Sequence, residues 1–115
     1  MSVSGAFTYT GNTCIITAAS PAPTPIQVSS STLGGNQYRI TNQSSSTGCY
    51  LSYAMDATTA TANCIIPTGS GSNSSRTVYI APLTVEIITF VPNAYFTANT
   101  SSGTAVLAIV PGDGL

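Results

Sequence analysis

The feature that most constrains this chain is its punctuation. Short runs of β-branched and aromatic residues recur along its length, each closed by Gly, Pro, Asn or Ser, and no stretch sustains a helical period. That pattern specifies strands and turns rather than helices. Gly5-Ala6-Phe7-Thr8-Tyr9-Thr10 alternates, with Phe7 and Tyr9 on one face, and Gly11-Asn12 reads as a tight hairpin turn into Thr13-Cys14-Ile15-Ile16-Thr17. Pro21, Pro23 and Pro25 make an extended connector before the short strand Ile26-Gln27-Val28, placed near an edge by its prolines.

After Gly34-Gly35 comes Gln37-Tyr38-Arg39-Ile40-Thr41-Asn42, whose alternation puts Tyr38 and Ile40 inward. Cys49, Leu51 and Tyr53 share one side of the next strand, Cys49 to Ala54. Residues Asp56 to Ala62 are Ala- and Thr-rich and fit a loop, a single helical turn or a weak strand. Thr68 to Ser75 has the composition of a flexible linker, yet neither flank holds enough strands to close a core, so it reads as a loop within one unit. Arg76 to Ile80, Leu83 to Val91, Ala94 to Ala98 and Thr104 to Val110 follow as strands. The last two are nearly continuously apolar, which predicts that both their faces are covered.

The expected fold is therefore all-β: one antiparallel β-sandwich of about eight strands, a jelly roll or related Greek key, with an immunoglobulin-like sandwich second. Residues 1–115 form a single domain, with 1–35 as an N-terminal arm and first strands and 36–115 as the remainder. A chain of 115 residues is long enough to bury a core without staples.

Charge narrows function. Only 4% of the residues are charged, against roughly 25% in ordinary soluble domains: Arg39, Asp56, Arg76, Glu86 and Asp113, with no Lys and no His. Two arginines cannot neutralise a run of phosphates or an anionic membrane surface, so neither nucleic acid nor membrane is an expected partner. Nor does any apolar run approach the length of a spanning helix. Met1-Ser2-Val3-Ser4 lacks a basic, apolar leader, which predicts a cytosolic or already processed chain. A surface soluble through hydroxyls and amides, with net charge −1, repels its own copies weakly. The chain is thus expected in an assembly, as a dimer or trimer.

Catalysis needs a base, a metal or an activated nucleophile. Asp56, Glu86 and Asp113 lie far apart in sequence, and Glu86 sits on the opposite side of its strand from Val85 and Ile87. No catalytic residue, cofactor or small-molecule substrate is expected. Three cysteines, Cys14, Cys49 and Cys64, are an odd count without a close Cys-x-x-Cys pair, so they read as buried thiols, with one disulfide as the alternative and zinc disfavoured. Gly112-Asp113-Gly114 offers one carboxylate, too few for calcium. The three Asn-x-Ser/Thr matches at Asn42, Asn73 and Asn99 read as chance in so polar a chain.

Tyr38-Arg39-Ile40-Thr41-Asn42, Thr84-Val85-Glu86, Ala94-Tyr95-Phe96, and Ser102 to Val106 running on to Pro111-Gly112-Asp113-Gly114-Leu115 together carry a resemblance. The chain resembles the small jelly-roll decoration or cement proteins of tailed bacteriophages over about two-thirds of its length; the first 35 residues do not carry it. The resemblance implies a structural virion protein on the capsid exterior, assembled in the host cytoplasm, with the major capsid protein and itself as partners. A head-fibre base, a tail-associated protein or a bacterial adhesin or pilus-like subunit are the alternatives, and six tyrosines without Trp leave a carbohydrate-binding module open. Pro111, Gly112, Asp113, Gly114 and Leu115 are the candidate partner contact: Pro111 is expected to end the strand, leaving a projecting tail with an apolar anchor and two negative charges.

Overall fold

In the computed structural model, the residues described are 8–28, 36–69, 71 and 75–113. Phe7, Gly34, Gly35, Gly114, Leu115 and the Met1–Ser4 segment lie outside them. The strands are β1 (Thr8–Tyr9), β2 (Cys14–Ala18), β3 (Ile26–Gln27), β4 (Gln37–Asn42), β5 (Cys49–Ala54), β6 (Val78–Ile80), β7 (Val85–Thr89), β8 (Tyr95–Asn99) and β9 (Ala105–Asp113). One helix, α1 (Ala57–Asn63), lies between β5 and β6.

The strands make two antiparallel sheets. One runs β2-β9-β4-β7, with β1 also on β9; the other runs β3-β8-β5-β6. Every connection between consecutive strands from β2 to β9 crosses from one sheet to the other, except β5 to β6, which α1 spans. Eight lanes in that order are a jelly roll. Strands from before residue 68 pair with strands from after residue 75.

Alternation decides which side chains fill the space between the sheets. Ile16, Ala18, Tyr38, Ile40, Leu107 and Ile109 point inward from the first sheet, and Cys49, Leu51, Ile80, Phe96 and Ala98 from the second; all are buried in one cluster. Tyr38 packs its ring against Phe96 at 4.8 Å and 60°, with the offset tilt that aromatic pairs favour. Its hydroxyl donates to the Val91 carbonyl (2.5 Å) and accepts from the Ala94 amide (3.1 Å), tying the β7–β8 turn to the core. Asn42 is equally buried and satisfied: Nδ2 donates to the Thr47 and Ile80 carbonyls, and Oδ1 accepts from the Ser44 amide.

Two expectations change, and one reading left open is decided. Gly11-Asn12 does not close a hairpin. β1 and β2 both run antiparallel to β9, Tyr9 opposite Gly112 and Cys14 opposite Ile109, so the glycine breaks one lane into two collinear pieces. Asp56 to Ala62 resolves as helix, because Asp56 caps it and Ala60 is an alanine whose small side chain fits flat on the sheet. Most importantly, β9 does not end at Pro111. Tyr38 opposes Pro111, Gln37 opposes Gly112, and Thr8 opposes Asp113. The Pro111 carbonyl accepts from the Thr10 amide, so its missing N–H faces the same lane, at the place where β1 and β2 are interrupted. A proline is tolerated in a central strand because its neighbour has a gap there.

Candidate functional site

The two sheets are covered differently on their outer sides. On the second sheet, α1 lies across β5 and β8: Ser52 Oγ donates to the Ala60 carbonyl at 3.0 Å, and both residues are buried. The proline connector lies on the same side, where Thr97 Oγ1 donates to the Pro23 carbonyl at 2.7 Å. Buried Ser52 and Thr97 thus each have a partner, as a covered polar face requires. β8 is covered on both faces, as its apolar run predicts.

The first sheet has no such cover among the described residues. By register its outer side carries Tyr9, Ile15, Thr17, Val106, Ala108, Val110, Gln37, Arg39, Thr41, Val85, Ile87 and Thr89. Tyr9 is 76% exposed, Ile15 51%, Val85 46% and Ile87 52%, while Val106, Ala108 and Val110 are half-buried between them. Arg39, exposed and opposite Ile87 and Val110, is the single charge on this side. The expectation of cover on both faces therefore fails for β9, whose outward residues Val106, Ala108 and Val110 are only half-buried. A contiguous apolar face rimmed by hydroxyls and amides is the mark of an interaction surface.

The expected tail is placed otherwise. Pro111 and Gly112 are buried within β9, and only Asp113 is exposed; Gly114 and Leu115 lie beyond the described residues. Pro111 and Gly112 therefore do not project as a tail.

The ionisable groups do not converge. Asp56 is a helix cap: Oδ1 accepts from the Thr59 amide (2.8 Å) and Oδ2 from the Thr59 hydroxyl (3.0 Å), and these bonds hold its carboxyl below the usual range. Glu86 stands on β7 opposite Ile40, in the other sheet from the strands α1 packs on. A cleft of about 530 Å³ between α1 and β6 brings Asp56 and Arg76 beside Tyr53, Met55 and Phe90. There each oxygen of the Asp56 carboxylate accepts one hydrogen bond from Thr59. A second hollow of about 240 Å³ is floored by Tyr50 and Tyr79, ring centroids 5.1 Å apart, among Ser46, Ser101 and Ser102 hydroxyls. Among the described residues no three His, Cys, Asp or Glu side chains gather as a metal would need.

All three cysteines are free thiols. Cys49 and Cys64 are buried, and burial pushes each up to about 11, with the nearby Cys64 adding to the effect on Cys49. Such thiols are protonated at neutral pH and chemically inert. Cys14 is only half-buried.

Sequence reasoning missed the open face because it treats each strand singly. Val85 and Ile87 look like core in a nearly continuous apolar run, and only the strand order shows that β7 is an edge. Compared with known proteins, the chain matches no family model, no curated protein and no solved structure.

Proposed function

We propose that this chain is a structural virion protein, a decoration or cement protein that docks on the outside of a bacteriophage head and stiffens the shell. The uncovered outer side of the β2-β9-β4-β7 sheet carries this reading: Tyr9, Ile15, Val85 and Ile87 stand exposed around one charge, on a sheet whose other side is solid core. A clamp needs a stiff scaffold and a broad contact surface, not an active site. Its energy comes from repetition, since many copies on one shell turn modest single contacts into durable attachment.

The major capsid protein is the partner in this reading, and the face is the contact. Peptide mapping of purified particles is expected to find the chain in constant ratio to the major capsid protein. Particles depleted of it should take back the recombinant protein, and Ile15→Lys, a change at an exposed position of β2, should lower that uptake at least tenfold. Particles that never contain the chain would overturn the proposal; full uptake of Ile15→Lys would remove the face from it.

A further inference from the structure

The β7 edge has a property separate from the face beside it. β7 pairs with β4 on one side, Gln37 to Thr41 against Thr89 to Val85 without a bulge. The Asn42 amide donates to the Thr84 carbonyl, and the Phe90 amide donates to the Asn36 carbonyl. Antiparallel strands bond at every second residue, so Thr84, Glu86, Ile88 and Phe90 turn their backbone groups toward β4. Val85, Ile87 and Thr89 therefore turn theirs away, and no strand among the described residues pairs with that side.

We infer that β7 is a pairing edge for a second copy of this chain, the two β7 strands joining antiparallel about a two-fold axis at Ile87. The outward residues are symmetric about that position. Ile87 then opposes the partner's Ile87, Val85 the partner's Thr89, and Thr89 the partner's Val85. Each pair exchanges two backbone hydrogen bonds at a Cα separation of about 5.5 Å. All the opposed side chains are β-branched, the type that packs best across strands.

The pairing register keeps like charges apart. Glu86 is the single charge on β7, and this register sets it opposite the partner's Ile88 rather than the partner's Glu86. A net charge of −1 adds little long-range repulsion. Sheets guard their edges with Lys, Pro, bulges, inward-pointing charges or short strands; over its five residues β7 has no Lys, Pro or bulge, and its one charge, Glu86, lies on the Ile40 side of the sheet. The opposite edge of the same sheet is guarded, because the Gly11–Thr13 interruption splits it into β1 and β2. In the second sheet, β3 has two residues and β6 three. One free edge of this length closes into a dimer, and the joined sheets carry both open faces on the same side.

A stable interface buries about 800 Å² per partner. One short strand supplies less, so the dissociation constant is expected to be of order 100 µM. Sedimentation equilibrium from about 10 µM to about 1 mM should show the mass rising toward a dimer. Over the same range, amide exchange followed by NMR should slow about five-fold at Val85, Ile87 and Thr89, the factor by which that constant reduces the free strand. Glu86 and Ile88, already bonded to β4, should not change. Ile87→Lys puts a charge on the edge and should leave a monomer at about 1 mM; if that variant fails to fold, the exchange pattern of the native chain decides alone. A monomer at about 1 mM, a polymer, or protection at other residues would overturn the inference. None of these results bears on presence in virions, so this inference and the proposed function fail separately.

Discussion

Replacing Tyr38 with Phe removes one oxygen from a fully buried side chain and keeps everything else. The ring stays against Phe96, 4.8 Å between centroids, so packing and volume are conserved. Two hydrogen bonds go: hydroxyl to the Val91 carbonyl, and Ala94 amide to hydroxyl. They are not equal losses. Val91 is 37% exposed, so its carbonyl turns to water; Ala94 is fully buried, so its N–H is left without a partner. A net hydrogen bond is worth about 1 kcal/mol and a stranded buried donor about 1–3 kcal/mol, giving a loss of about 2–4 kcal/mol. For a chain of this size that is roughly 8–16 °C in Tm. Urea unfolding should show a lower midpoint with an unchanged slope, and Tyr50→Phe, whose hydroxyl makes no such bridge, should change stability by under about 0.5 kcal/mol. A Tyr38→Phe loss below about 0.5 kcal/mol would refute the idea that this hydroxyl holds the β7–β8 turn.

Further outcomes follow from the thiols, the C-terminal strand and the cap. Cys49 and Cys64 have raised pKa values in the fold, so the stability they contribute is intact below the unfolded thiol value near 9 and lost as pH rises through about 11, and Tyr38, raised by burial, acts in the same direction; denaturant midpoints at constant temperature between pH 8 and 11 check this. A thiol reagent at pH 8 should label Cys14 alone in the native chain, and neither dithiothreitol nor EDTA should move the Tm, since the thiols are free. Ending the chain after Val110 removes the partners of Tyr38, Gln37, Tyr9 and Thr8 and should cost about 2–4 kcal/mol by calorimetry. Asp56, with its lowered pKa, stabilises above the ordinary carboxylate value of 3.8 and stops doing so as pH falls through its own; Asp56→Asn should flatten the acid limb of the stability curve.

The strands were legible because alternation is a local signal. Tyr38 with Ile40, and Cys49 with Leu51 and Tyr53, face inward as their period-two spacing dictates. The helix was not, since Ala57–Asn63 is rich in Thr and too short for a helical period to register; the Asp56 cap and Thr59 three residues later were its only local sign. Pro111 misled for a physical reason: the rule that proline ends a ladder assumes a continuous neighbour, and the gap between β1 and β2 is set by residues a hundred positions away. The same limit hid the open face. Exposure of Val85 and Ile87 is decided by which strand lies last in the sheet, a property of the whole topology.

The placement of β9 also sets a timetable. It is the last strand of the sandwich in chain order, yet it lies between β2 and β4, which are joined through it and not to each other. A nascent chain cannot close the first sheet until residue 113 has left the ribosome, and at about 5–20 residues per second the stretch from β2 onward waits several seconds with its apolar residues unspent. During that wait β4 and β7 can already meet, exposing the unpaired side of β4 as a template for any passing strand. Long-range closure of this kind is slow. Yield in cells should therefore fall when elongation between β4 and β9 is slowed by rare codons, because the hazard lies in the interval before the last strand arrives.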